Sequence, residues 1–488
     1  VSRRAPAQPW PAQPVLPLDG EGEYPPEILG HKGYSIHTMR RHGLPVPPAF
    51  CITTQIGARY LTEPESTIDA IWDDVLAGVR RLEAATSRTF GRGPRPLLVS
   101  VRSGAAVSMP GMMDSVLDLG MTDAVEQALG TAAFGRDTRQ RFTRRYRHVV
   151  ADPVPDDPYL QLRAAIEAVF TSWNSPRAVA YRAHRGIGDQ GGTAAIVQAM
   201  VFGNLGPNSG AGVMFSRNPM TGASEVFGEW LPGAQGDDVV SGTVDVQPIT
   251  ALRDQQPRTY DELSAAAQML ESLSSDVQEV EFTVEEGTLW LLQTRAAKRS
   301  AQATVRLALR LRRDGLIDDA EVLRRVTPAH VDALLRPALQ PETRLTAEVL
   351  AKGLPASPGV ASGRVYTDVQ AAVDAAERGE DVILVRGHTS PDDIHGMLVA
   401  RGVVTETGGT TSHAAVVSRE LGRVAVVGCG SGVAESLAGR LVTVDGNTGE
   451  VLDGTLELTA WSEDESPELR ELAEITRRVE RQEDQARA

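Results

Sequence analysis

Lysine is nearly missing from this chain. Lys32, Lys298 and Lys352 are the only lysines among 49 basic residues; the rest are arginines. A lysine kept in such a background is a candidate for use as a compact, mobile ammonium, with chance survival as the alternative. Cysteine is scarce too. Cys51 and Cys429 are the only two, which excludes a disulfide framework or a thiolate metal cluster and suits a reducing cytoplasm. No apolar run approaches the ~18 residues of a membrane span, and no internal repeat is present. A basic excess is also lacking: the net charge is -15. That argues against nonspecific binding to nucleic acid or an anionic membrane, while leaving room for a local basic pocket. The N-terminal stretch "VSRRAPAQPWPAQPVLPLDGEGEYPP" has no apolar core of the kind a secretory signal needs. Residues 1–27 read as a disordered leader, and a first-residue Val fits an alternative start codon.

A chain of 488 residues has room for roughly two to four domains. After the leader, "EILGHKGYSIHTMRRHGLPVPPAF" reads as a glycine turn, a helix and an extended Pro segment. Leu97 to Arg102 reads as a buried strand running into a small-residue loop, "SGAAVSMPGMMDS". Helical patterns follow to about Arg185, then strands and turns to about Ile249, a helix near Tyr260 to Ser275, and the hairpin "VEFTVEEGTLWLLQTR". Ala301 to Leu335 has helical spacing and reads as a connector. From "LPASPGVASGRVY" a new unit begins, built of short β-rich runs.

The stretch "TETGGTTSHAAVVSRELG" carries the sharpest chemistry. Thr411 and Ser412 can cap a helix beginning near His413, and Gly422 can end it. Gly408 and Gly409 permit close backbone approach. An imidazole at a helix N-terminus, among hydroxyls and open N–H groups, is a place for a phosphate. There a histidine can act as the nucleophile that carries a phosphoryl group. A capping-region histidine without chemistry is the plainer reading.

"GGTTSHAAVVSRELGRVAVVGCG" resembles the phosphohistidine segment of the pyruvate, phosphate dikinase family, whose pattern is Gly-Gly-x-Thr-Ser/Cys-His-Ala-Ala. The resemblance implies His413 as the phosphorylated residue, with Thr411 and Ser412 beside it. "VSVRSGAAVSMPGMMDSVLDLGM" is similar to the family's nucleotide loop. It implies Arg102, Gly104, Ser108, Met109 and Gly111 as nucleotide contacts. The backbone N–H groups of such a loop can cradle phosphate while the arginine forks onto its oxygens. Lys32 in "LGHKG" matches the family's Gly-Gly-Lys-Gly, with His31 in place of a glycine. Glu229 in "VFGEWLPGAQGDDVVSG" is implied as a polar contact to the nucleotide, whereas Asp237 and Asp238 read as a turn cap.

The hairpin has its own reading. Period-two alternation puts Glu279, Glu281 and Thr283 on one face and brings Gln293 roughly opposite Glu281, with Arg295 on the same side. Carboxylate and amide oxygens there suit a hard Mg²⁺ ion shared with phosphates; an exposed polar sheet face is the alternative. In the family this segment closes the ATP site, which implies Glu281 and Gln293 as metal ligands.

The expected fold is α/β (α+β). It comprises an ATP-grasp-like nucleotide-binding domain over 28–300, a helical connector over 301–345, a swivelling β/β/α phosphohistidine domain over 346–455, and a charged helical tail over 456–488. The expected activity is ATP-dependent phosphorylation of a histidine in the presence of Mg²⁺ and inorganic phosphate. The phosphoenolpyruvate/pyruvate barrel of the family is expected to be missing from this polypeptide. A separate barrel protein and a second copy in a homodimer are the expected protein partners. The chain departs from the family before the Gly-Gly, where Glu406-Thr407 replaces Ala-Arg; a carboxylate facing the phosphoryl group would oppose phosphorylation. Two further readings stay open at this level: a non-catalytic nucleotide-binding remnant, and a histidine phosphotransferase to another acceptor.

Overall fold

In a computed structural model of the chain, the structure describes residues 13–107, 109, 112–129, 131–150, 153–188, 191–241, 244–334, 338–339, 343, 347–459 and 466–487. It divides into two compact units: Val1–Leu205 with Trp290–Gln293, and Gly206–Leu289 with Thr294–Ala488.

The first unit is built on an antiparallel five-stranded sheet. Its order is Val15–Pro17, Ala49–Ile52, Thr193–Ala199, Val99–Ala105 and Ser115–Leu119. The central strand Thr193–Ala199 is buried along its whole length. Helix Pro64–Thr86 presents Ile68, Ile71, Val75, Val79 and Leu82 to the core, the three-and-four spacing of one helical face. The expectation of a disordered leader over 1–27 is corrected from Val15 onward. Val15, Leu16 and Leu18 are buried, and Val15–Pro17 pairs with Phe50–Ile52 as an edge strand. Prolines flank this stretch, and an edge position is where a sheet tolerates Pro17. The remainder of the leader up to residue 12 lies outside the described residues.

The second unit contains two sheets and a set of helices. One sheet runs Gln247–Pro248, Phe227–Pro232, Gly210–Phe215 and Gln278–Glu285. The other has eight strands in the order Val349–Lys352, Glu450–Asp453, Leu441–Asp445, Val360–Tyr366, Val382–Arg386, Gly402–Thr405, Val424–Val427 and Leu354–Ser357. Val360–Tyr366, Val382–Arg386, Gly402–Thr405 and Val424–Val427 are parallel neighbours. The runs VILVR, GVVT and VAVV of the last three fit strands buried on both faces, whereas Val360–Tyr366 alternates. The two end strands are separated in sequence by Gly353 alone, so the sheet curls back on itself. Gly353 donates its N–H to Gly449 O at 2.8 Å, and a side chain there would strike Val427 O. Helices Ala301–Arg313, Asp319–Arg325 and Pro467–Arg487 share an apolar core of Val305, Leu309, Val322 and Ile475. The ion pairs Arg306–Glu468, Arg313–Glu471 and Arg478–Asp319 rim it. The tail helix is thus packed against the connector helices.

Candidate functional site

In the first unit a break in a helix positions the predicted nucleotide residues. Helix Pro26–Arg41 is interrupted at Gly30, which has φ 67° and ψ 162°. A Cβ at Gly30 would collide with the carbonyl of Gly104, so the backbone crossing requires glycine at this point. The crossing brings Gly30, two residues before the half-buried Lys32, against Gly104 at the end of the strand that also carries Arg102. Gly104 donates its N–H to Thr193 Oγ1 at 3.0 Å, and Arg102 donates through Nη2 to Gln293 Oε1 at 3.4 Å. Met109 is buried; Ser108 and Gly111 lie outside the described residues. The far end of this loop is fixed by Arg177, which donates to Met112 O at 3.2 Å and pairs with Asp114.

In the second unit, strand Gln278–Glu285 carries Glu279, Glu281 and Thr283 in the alternation that the sequence predicts. Glu279 is buried and paired with Arg295. Burial works against the Arg295 charge, but Glu279 beside it, with Glu281 and Glu420, overcomes this and raises its pKa above the usual arginine value. Arg295 is therefore committed to a carboxylate. Glu281 groups with the second unit and Gln293 with the first. Among the described residues, no three His, Cys, Asp or Glu side chains gather as a metal site. Asp238 accepts from Gln235 N at 3.1 Å and so caps a turn. Arg217 is held by Glu271 and Asp314.

The histidine loop leaves the C-terminal end of strand Gly402–Thr405 and enters helix His413–Leu421. Ser412 is the N-cap, its hydroxyl accepting from Ala415 N at 3.5 Å, and Gly422 ends the helix in the left-handed region at φ 64°. Gly408 has φ 104°. Gly409 has a different reason to be glycine: any Cβ there would overlap the Glu229 carboxylate. That carboxylate accepts from the N–H and hydroxyl of Thr410 and from the N–H and hydroxyl of Thr411. Arg419, buried on the same helix as His413, donates to Thr410 O at 2.9 Å and Ala356 O at 2.9 Å. Burial lowers its pKa to about 10, against the pull of Glu279 and Glu229, so it stays charged at neutral pH.

His413 is partly buried. Its Nδ1 lies 3.1 Å from Thr389 Oγ1, and its buried Nε2 has no hydrogen-bond partner among the described residues. Burial pushes the imidazole down to about 4, with Asp393 pulling weakly the other way, so the ring is neutral at neutral pH. Asp393 itself is held by Arg386 at 3.2 Å and by Ser390. Glu406 accepts from Ala434 N at 2.8 Å, which commits one of its oxygens to the start of a short helix.

Sequence reasoning did not single out Thr389 or Arg419. Thr389 follows the strand next to the one that feeds the histidine loop, and an arginine inside the apolar run "HAAVVSREL" was the available signal for Arg419. Among the described residues, no helix is long and apolar enough to cross a membrane.

Comparison with known proteins adds the ancestry. The pyruvate phosphate dikinase AMP/ATP-binding domain family matches residues 69–260, and the PEP-utilising enzyme mobile domain family matches residues 378–449. The pyruvate, phosphate dikinase of Rhizobium meliloti is 40% identical over 88% of this chain and 56% of its own length. Pyruvate, phosphate dikinase 2 of Zea mays is 40% identical over 86% of this chain and 53% of its own. The enzyme of Clostridium symbiosum is 38% identical over 88% and 56%. The chain spans about half the length of these curated relatives. With both domain families matched in order and dikinases aligned over most of its length, the chain belongs to the pyruvate, phosphate dikinase family.

Proposed function

We propose that this chain performs the ATP-dependent phosphorylation of His413, the nucleotide half of a dikinase reaction. The observation that carries the reading is the state of His413. It stands at a helix N-terminus as a neutral ring, with Nδ1 at Thr389 and the buried Nε2 without a hydrogen-bond partner among the described residues. The tautomer in which Nδ1–H donates to Thr389 leaves the lone pair on Nε2, the form a nucleophile needs. In this reading Nε2 attacks the β-phosphorus of ATP, a P–N bond forms, the bond to the α-phosphate oxygen breaks, and AMP leaves. Transfer of the terminal phosphoryl group to inorganic phosphate then gives pyrophosphate and phosphohistidine. No proton has to leave the ring before attack. The protein's part is in-line positioning and charge neutralisation.

Lys32, Arg102 and Gly104 are the residues we assign to the nucleotide phosphates; the Gly30 crossing against Gly104 supports the assignment. Met109, Ser108 and Gly111 are assigned to the loop that covers them, in an ATP-grasp-like arrangement. Glu281 and Gln293 would hold Mg²⁺. Their oxygen donors suit a hard cation that keeps waters and phosphate oxygens as its other ligands. When bound, that ion would neutralise phosphate charge. Arg295 contributes by holding Glu279 rather than by reaching phosphate directly. The cytoplasm, the pyruvate half-reaction and a barrel partner belong to this same proposal.

Labelled ATP tests it. The protein should acquire acid-labile, base-stable phosphate at His413, and His413→Ala should acquire none while still binding ATP. Label on Thr411 or elsewhere, or no label with and without inorganic phosphate, rejects the reading.

A further inference from the structure

Four donors converge on the two oxygens of one carboxylate: the N–H and hydroxyl of Thr410, and the N–H and hydroxyl of Thr411, all to Glu229. The donors belong to consecutive residues just ahead of the helix that begins at His413, a concave arrangement that suits an anion. Here the anion is a side chain from strand Phe227–Pro232, distant in sequence. Glu229 and both threonines are buried. Gly409 leaves room for the carboxylate, and Arg419 grips Thr410 O at 2.9 Å.

We propose that Glu229 is a charge-sensitive latch: its carboxylate holds the histidine loop while His413 is unmodified, and a phosphoryl group on His413 loosens that hold. The proposal rests on the reading of His413 as the phosphorylated residue. A phosphoryl group brings about 1.5 to 2 negative charges at neutral pH, two residues from Thr411. Buried charges are poorly screened by salt, so the new anion and Glu229 repel each other. They also compete for the same donors, because N–H groups and hydroxyls that serve a carboxylate serve phosphate oxygens equally well. The coupling is reciprocal. A seated Glu229 disfavours the phosphorylated state to the same extent that phosphorylation disfavours the seated latch. Glu229 therefore acts on His413 through the loop, as a positioning residue.

Hydrogen exchange of the 488-residue chain, read by mass spectrometry over residues 405–412, tests this. Potassium phosphoramidate provides phosphorylation without nucleotide: its P–N bond breaks, ammonia leaves, and the imidazole takes the phosphoryl group. The Thr410 and Thr411 amides should then exchange roughly 5- to 150-fold faster, the usual span of coupling between two sites. His413→Ala given the same treatment should not change. Glu229→Gln should show fast exchange at these amides from the start, with little further change on phosphorylation. Unchanged protection at Thr410 and Thr411 in stoichiometrically phosphorylated wild type overturns the latch, and that arm needs no variant to fold. Wild-type protection in Glu229→Gln overturns it as well. Loop opening by phosphoramidate without any labelling by ATP would reject the nucleotide reading and keep the latch. Labelling by ATP with the loop still protected would reject the latch alone.

Discussion

Thr389 Oγ1 and His413 Nδ1 lie 3.1 Å apart, joining the loops that follow two neighbouring parallel strands, Val382–Arg386 and Gly402–Thr405. A hydroxyl at this place holds the rotation of the imidazole and can accept from Nδ1–H, the tautomer that leaves the lone pair on Nε2. Thr389→Val keeps the shape and removes the partner. Single-turnover labelling of His413 should slow by roughly tenfold, the worth of about 1 to 1.5 kcal/mol for one net hydrogen bond. Thr389→Ser should restore the rate. A Val variant that labels at the wild-type rate would show that the ring is oriented by packing alone.

The depressed pKa of His413, about 4, gives two pH signatures. Labelling should be flat from pH 8 to about pH 5 and fall to half near pH 4, because only the neutral ring carries the lone pair. The folded value lies below the ordinary 6.5, so the unfolded chain binds more protons between these values and stability rises with pH through that window. A 2.5-unit gap corresponds to up to about 3 kcal/mol. Denaturant titrations of wild type and His413→Gln at pH 7 and pH 4.5 should converge or diverge accordingly. Wild type should lose more on acidification than the variant does, and equal losses would contradict a buried neutral ring.

Magnesium-dependent nucleotide binding should weaken when either of the two proposed oxygen ligands is removed. Glu281→Ala or Gln293→Ala should weaken MgATP binding by roughly 10- to 100-fold, the range for a hydrogen-bonding or coordinating contact to a charged group. Binding of ATP without metal should change far less. Calorimetry that returns wild-type MgATP affinity for both variants would remove the hairpin from the metal site.

Gly30→Ala should destabilise the first unit. The new Cβ meets the Gly104 carbonyl, a backbone atom that cannot turn aside, and φ 67° is already costly for alanine. A loss of about 2 kcal/mol or more is expected, visible as a lower thermal midpoint. ATP affinity should fall with it, because the crossing packs the segment that carries Lys32 against Gly104, two residues assigned to the nucleotide. Retained stability and affinity would mean that the helix break is incidental.

What the sequence made legible was local. Ser412 as cap, Gly422 as terminator and the alternation at Glu279–Thr283 are written in neighbouring residues, and short-range hydrogen bonds realise them. The bonds from Glu229 to Thr410 span 181 positions, and no periodicity encodes a partner at that distance. Strand Phe227–Pro232 was readable; the destination of its buried glutamate was not. Thr389 escaped because its meaning comes from the parallel pairing that sets two loops side by side. Val15 and Leu16 were hidden by their proline-rich surroundings, which read as disorder until Ile52 and Cys51 supply a strand to pair with.

The curled eight-stranded sheet has one more consequence. Val349 pairs with Leu452, and Asp453 N donates to Glu348 O at 2.9 Å, so the chain enters and leaves this sheet at one place. The two strands stay together beyond it, where Ala338–Leu339 pairs with Leu458–Thr459. The entry and exit segments are thus paired at two places. A single peptide thread allows rotation about many bonds in many directions. A hydrogen-bonded ribbon flexes readily across its face but resists shear in its own plane, since sliding one strand past the other breaks the pairing. At Ala338–Leu339 and Leu458–Thr459 a bend across the paired segment therefore costs less than a slide within it.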